Sequence, residues 1–80
     1  MIVDPEIEGV AIYDLNGELL DWVGKVPRTD WVKEVAMLMS MIGASIGDKV
    51  QSVEIDLGNR KLCIVIDPPL IRVGVIRKRR

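Results

Sequence analysis

The chain has 80 residues, of which 49% are hydrophobic and 29% charged, and it contains no histidine and one cysteine. This composition predicts a single globular domain, excludes an internal disulfide and leaves no plausible zinc site. The net charge of −1 hides an uneven distribution, because residues 60–80 carry 7 basic and 1 acidic side chains. A domain of this size buries only about 60% of the surface of its unfolded chain, so we expect a partner subunit to complete it.

The sequence carries no sign of membrane insertion or secretion. No apolar run reaches the roughly 18 residues that a membrane span needs. The first eight residues are acidic and lack the basic region of a secretory signal. We therefore expect a cytoplasmic protein.

Residues 9–13 and 18–23 predict a β-hairpin. Both segments are mainly apolar, and Asn16-Gly17 lies between them. Asn-Gly favours a tight hairpin because both residues tolerate the positive φ of a type I′ turn. We therefore predict two antiparallel strands joined by a type I′ turn.

Residues 29–46 predict the one helix of the domain. Thr29 or Asp30 is suited to cap its first turn, and Gly47 is suited to end it. At 100° per residue, one stripe about 120° wide is apolar and is predicted to face the core. Its members are Trp31, Val32, Val35, Leu38, Met39, Ile42 and Ile46.

The opposite side of this helix lacks the charged residues of a solvated face. Small residues and methionines occupy it: Ala36, Met37, Ser40, Met41, Gly43 and Ala44. Small residues let a second backbone approach, and methionine adapts to irregular surfaces. We predict that these six residues form a partner interface; the alternative is that loops or the N-terminal segment cover them within the monomer.

Three further strands follow the helix. Residues 50–57 alternate between apolar and polar, which is typical of a half-buried edge strand, and Gly58-Asn59 predicts a second hairpin turn. Residues 61–67 and 70–76 are apolar on both faces, with Pro68-Pro69 between them. The predicted fold is α+β: a five-stranded antiparallel sheet, order β-β-α-β-β-β, with one helix on one face. Its second face is also too apolar for water.

This order, and the segment GVAIYDLNGELL at residues 9–20, resembles the roadblock/LC7 family within the profilin-like and longin-like group. The resemblance covers roughly residues 9–76 and implies a single roadblock/LC7-like domain over residues 1–80. It implies a non-enzymatic module that forms homo- or heterodimers and acts as a scaffold or regulator, often of small GTPases. Family members usually carry a further helix before the first strand or after the last, which often helps to form the dimer, so the resemblance does not specify the dimer geometry of this chain.

Other residues offer weaker functional candidates. A basic group at the C-terminal end has the charge to contact an anionic partner such as nucleic acid, or simply solubilises the tail: Arg72, Arg77, Lys78, Arg79 and Arg80. The acidic residues are explained by turns and edge solubility, so we predict no catalytic residue, cofactor or metal site. Cys63, Trp22 and Trp31 are expected to pack in the interior, and a tryptophan found exposed would be a candidate interface anchor.

Overall fold

The computed structural model describes residues 6–26 and 30–78, and its elements follow the predicted order. The strands form one antiparallel sheet in the order β2-β1-β5-β4-β3, with a single helix packed on one face. The predicted fold class is therefore confirmed. The elements are β1 (Glu6–Asp14), β2 (Leu19–Gly24), α1 (Val32–Ile46), β3 (Ser52–Asp56), β4 (Arg60–Asp67) and β5 (Leu70–Arg77).

The core lies between α1 and the sheet face that it covers. Alternate residues of the three central strands β1, β5 and β4 point to this face, as the period of two in a strand requires. Two helix residues, Val32 and Met39, pack against them. The buried hydrophobic residues of the sheet are Ala11, Tyr13, Leu62, Ile64, Ile71, Val73 and Val75.

The first hairpin forms as predicted, but its turn is of another type. Gly17 has φ 86°, whereas Asn16 does not adopt a positive φ, which excludes type I′. The Gly17 N–H donates to the Asp14 carbonyl, and Asp14 Oδ1 accepts the Asn16 and Glu18 N–H groups, both at 2.9 Å. The prediction of a type I′ turn was wrong because the Asp14 carboxylate stabilises a longer loop in which only the glycine is left-handed.

The second hairpin turn is tight, as predicted. The Leu57 N–H donates to the Arg60 carbonyl at 2.8 Å, which leaves Gly58-Asn59 as the two central residues. Gly58 has φ 93°, the left-handed conformation that the first central residue of a type II′ turn adopts. Leu57 itself is exposed, so it does not share the half-buried face of Val53 and Ile55 as the alternation predicted.

The helix starts later than predicted and without the expected cap. Trp31 occupies the N-cap position with helical φ and ψ and no side-chain cap bond, so Asp30 does not fill that role. Thr29 lies outside the described residues. Gly47 ends the helix in the left-handed conformation, with φ 75°, as predicted.

Candidate interaction surface on the helix

The helix is rotated relative to the predicted core stripe. Val32, Met39 and Gly43 are its buried residues. Leu38, Ile42 and Ile46, which were assigned to the core, are exposed by 54%, 43% and 67%. That prediction was wrong because the buried stripe is centred on Val32, Met39 and Gly43. Leu38 and Ile42 lie beyond the edge of this stripe, and Ile46 is exposed at the end of the helix.

The six predicted interface residues divide into exposed and covered positions. Met37 and Met41 are 57% and 64% exposed. Ser40 and Ala44 are also exposed, and Ala36 is half-buried. Gly43 is buried, because the carbonyl oxygen of Asp48 lies only 2.5 Å from the place where a Cβ would stand. Gly43 thus serves a close approach within the monomer and offers no surface to a partner.

Ala36, Ser40 and Ala44 line an open groove of about 920 Å³. Its other side is built from the turns at one end of the sheet and the segment that follows the helix: Leu15, Val50, Ile66 and Pro68 are its larger apolar members. The small side chains on the helix leave this space open. Because the groove is lined mainly by apolar groups, it is suited to apolar side chains of another molecule.

The exposed helix side is nearly free of charge. After Glu34 in the first turn, every residue of α1 is uncharged. Met37, Leu38, Met41 and Ile42 follow one another around the solvent side, with Ile46 at the end of the helix. Apolar surfaces of this extent are typical of interaction sites, so this side of α1 is the candidate interaction surface.

The same architecture is found in two solved structures. MglB of Myxococcus xanthus aligns with a TM-score of 0.75 and 18% identity, over 90% of this chain and 65% of that protein. A Roadblock/LC7 domain from Streptomyces avermitilis aligns with a TM-score of 0.66 and 17% identity, over 91% of this chain and 68% of that one. The chain has the roadblock/LC7 fold.

The predicted resemblance is therefore confirmed for the fold. This roadblock/LC7-fold chain spans about two thirds of the length of either solved structure. No family model matches the sequence, and no curated protein matches it. In the part of the chain that the structure describes, no helix is long and apolar enough to cross a membrane.

The described basic residues near the C-terminal end of the chain form ion pairs. Arg72 contacts Asp67 at 3.1 Å, Arg77 contacts Glu6 at 3.9 Å, and Lys78 contacts Asp56 at 2.8 Å. Arg79 and Arg80 lie outside the described residues. Since each described member of the basic group is already paired with a carboxylate, the structure adds no support for nucleic-acid binding, which stays a prediction.

The acidic residues act locally, as the sequence indicated. Lys78 hydrogen-bonds Asp56 and holds the pKa of that carboxyl below its usual value of 3.8, and the Gly58 N–H adds to this effect. Glu54 contacts Lys61 at 3.5 Å. Within residues 6–26 and 30–78, no three His, Cys, Asp or Glu side chains are grouped to hold a metal ion.

Of the two tryptophans and the cysteine, Trp31 lies as predicted, whereas Trp22 and Cys63 are less buried than predicted. Trp31 is half-buried and packs against the core, as expected of a residue at the helix start. Trp22 is 59% exposed on β2, so its predicted place in the interior was wrong. Cys63 is half-buried rather than buried. The exposed Trp22 is instead the candidate interface anchor that the sequence left open.

Sequence analysis missed Leu38, Ile42 and Ile46 as surface residues. Periodicity alone placed the most apolar stripe inside. The available signal was Gly43: a glycine within a helix costs about 1 kcal/mol relative to alanine, which indicates a packing reason for its presence. A helix phased on Val32, Met39 and Gly43 directs Leu38 to solvent and leaves Ile42 beside the buried stripe. Ile46 lies on the same side as Met39 and is exposed because it is the last residue of the helix.

Proposed function

We propose that this chain is a non-enzymatic cytoplasmic interaction module that dimerises through the exposed side of α1 and acts as a scaffold or regulator. The observation that carries the proposal is the uncharged, apolar helix surface, together with the groove along Ala36, Ser40 and Ala44. A second copy of the chain is the proposed partner. A different chain of the same fold would present a comparable surface, and a heterodimer is the other form of this proposal.

The size of the surface supports association. A fully exposed Met, Leu or Ile side chain presents roughly 150–200 Å², so the observed exposures leave on the order of 500 Å² of apolar area on α1, near the top of the roughly 300–600 Å² found for the largest patch of a typical monomer. A standard interface buries about 800 Å² on each partner. The exposed apolar side chains of α1 alone supply more than half of that area, and the rim of the groove adds to it. The five exposed residues counted are Met37, Leu38, Met41, Ile42 and Ile46.

The proposed regulatory role rests on the roadblock/LC7 resemblance. Because of that resemblance, a small GTPase is the first partner of a different fold to test. The described residues contain no motif that would be transferred to such a role, so no individual residue is assigned to GTPase contact.

Light scattering coupled to size-exclusion chromatography tests the dimer. The wild-type chain is expected to elute with twice the 8.9 kDa mass of one chain. Ala44→Glu and Met41→Glu place a carboxylate on the proposed interface and are expected to shift the protein to monomer at micromolar concentration. Circular dichroism should remain unchanged, because both positions are exposed.

A matched variant tests whether the effect on dimerisation depends on where the negative charge is added. Asn59→Asp also adds one negative charge, but in the exposed β3–β4 turn away from α1, and aspartate is accepted in turns. This variant is expected to remain dimeric. A wild-type protein that stays monomeric at micromolar concentration, or interface variants that dimerise as well as the Asn59 variant, would contradict the proposal.

A further inference from the structure

β2 is an edge strand, and among residues 6–26 and 30–78 neither the helix nor another strand covers its outer side. It lies at one end of the sheet order, and all six of its residues are exposed. Leu20, Trp22 and Val23 are exposed by 55%, 59% and 73%. An edge strand also presents backbone N–H and C=O groups that can pair with another chain. β2 therefore combines an open backbone edge with apolar side chains.

The hydrogen-bond pattern identifies Trp22 as a residue whose backbone points outward. The Lys25 N–H donates inward to the Glu8 carbonyl at 2.9 Å. Since antiparallel residues alternate between bonded and non-bonded positions, Val23 is directed toward β1 and Trp22 is directed away from it. In agreement, the Trp22 N–H donates to Asp21 Oδ1 at 2.8 Å. The carboxylate of Asp21 thus occupies the donor that an added strand would use.

A cavity of about 440 Å³ lies beside this edge on the helix side of the sheet. Trp22 and Gly24 of β2 line it, together with Leu62 and Val75 of the central strands. The rim carries an ion pair between Arg60 and Glu8 at 2.6 Å. Trp22 belongs to this side because it stands opposite the buried Ala11. Trp22 forms the wall of this cavity nearest the edge, so side chains of an added strand that point to the helix side would contact Trp22 and reach the cavity beyond it.

The two faces of β2 differ in charge. Asp21 and Val23 point to the face opposite the helix, since they pair with Ile12 and Val10. Asp14 and Glu18 of the adjoining turn bring two more carboxylates close to the edge. An added strand with apolar residues on one face and basic residues on the other would complement both sides.

We propose that β2 binds an extended segment of a partner protein, in which apolar and basic residues alternate, by addition of that segment as a sixth strand. The backbone edge around Trp22 supplies hydrogen bonds, the cavity receives apolar side chains, and Asp21 attracts the basic ones. This site is separate from α1, so it does not depend on whether the chain dimerises through the helix.

A defined peptide tests the proposal in Trp31→Phe protein, where Trp22 is the one remaining tryptophan. The probe is a terminally blocked heptapeptide of alternating lysine and valine. Saturable change of Trp22 fluorescence is expected, and exchange of the Trp22 amide hydrogen, followed by NMR, is expected to slow about tenfold or more on binding. The same peptide with a central proline, or with glutamate in place of lysine, is expected to bind much more weakly.

A pair of variants distinguishes the contribution of the backbone edge to peptide affinity from the contribution of charge. With an uncharged peptide of alternating threonine and valine, Asp21→Ala is expected to tighten binding about threefold or more, because it frees the Trp22 N–H and a hydrogen bond has about that net worth. Glu18→Ala removes an equal charge from the same hairpin without freeing that donor, and is expected to leave the affinity unchanged.

Three results would overturn the proposal. The first is no change at Trp22 with the lysine–valine peptide at millimolar concentration. The second is binding that perturbs α1 residues and leaves the β2 amides unaffected. The third is an equal response of the Asp21 and Glu18 variants to the uncharged peptide. None of these results would decide whether α1 forms the dimer interface, because that proposal is tested separately by the mass of the Ala44→Glu protein.

Discussion

Replacement of Gly43 by alanine tests the packing between α1 and the segment that follows it. Helix propensity alone predicts that Gly43→Ala stabilises the protein by about 1 kcal/mol. In this structure, however, the added Cβ would lie 2.5 Å from the carbonyl oxygen of Asp48, far inside van der Waals contact. The segment at residues 47–50 would have to move, and the bond from the Asp48 N–H to the Gly43 carbonyl, now 3.0 Å, would be strained.

The expected result is therefore opposite in sign to the propensity. Overpacking costs about 1–3 kcal/mol, and a clash with a backbone atom belongs to the upper part of that range, about 2–3 kcal/mol. Subtracting the helix gain of about 1 kcal/mol leaves a net loss of about 1–2 kcal/mol. Urea denaturation followed by circular dichroism measures this as a lower midpoint at an unchanged m-value. In a domain of this size, each kcal/mol lowers Tm by roughly 4–8 °C.

Gly74 provides the matched control for this substitution. A Cβ added to Gly74 meets no atom within 4 Å, and the residue lies in the interior of β5. Gly74→Ala is expected to stabilise the protein by about 0.5–1 kcal/mol, because alanine loses less backbone entropy on folding. A stabilised Gly43→Ala protein would refute the close contact between Gly43 and Asp48, and with it the orientation of the helix.

Two further predictions follow from the structure. Both methionine variants are compared in the Ala44→Glu protein, where dimer formation does not add to stability. Met39→Ala is expected to lower the free energy of unfolding, measured by urea denaturation, by about 2–5 kcal/mol, whereas Met41→Ala, at an exposed position, changes it by less than about 0.5 kcal/mol. Equal losses would contradict the helix phase. Lys78→Met is expected to raise the pKa of Asp56 in a carboxyl-carbon NMR titration. Because the folded pKa is the lower one, the contribution of Asp56 to stability is present at neutral pH and is lost as the pH falls below 3.8 through the folded value; an unchanged pKa would exclude the Lys78 contact.

Local sequence signals predicted most of the elements. Asn16-Gly17 and Gly58-Asn59 predicted the positions of both hairpin turns, and Gly47 predicted the end of the helix. Alternation along residues 50–57 predicted an edge strand, and β3 does lie at an edge of the sheet. These features depend on a few adjacent residues, so a single sequence contains the information that sets them.

Features set by long-range packing were predicted less well. Nothing in the turns specifies that β1 pairs with β5, because these strands are more than fifty residues apart in the sequence. The helix phase was wrong for Leu38 and Ile42, since most of α1 is apolar and periodicity cannot choose among nearly equal stripes. Ile46 lies on the buried side but at the end of the helix, where its side chain is exposed. Trp22 is exposed because β2 lies at the edge beyond the helix, and only the strand order reveals this.

The position of β1 and β5 side by side at the middle of the sheet affects how the polypeptide reaches its native state. Glu6 stands opposite Arg77, so the two ends of the described chain meet in one ladder. During synthesis the hairpin of β1 and β2 emerges from the ribosome more than fifty residues before β5, its neighbour in the sheet. The domain therefore cannot complete its fold co-translationally from its first half, and closure of this long loop is expected to set the rate of folding.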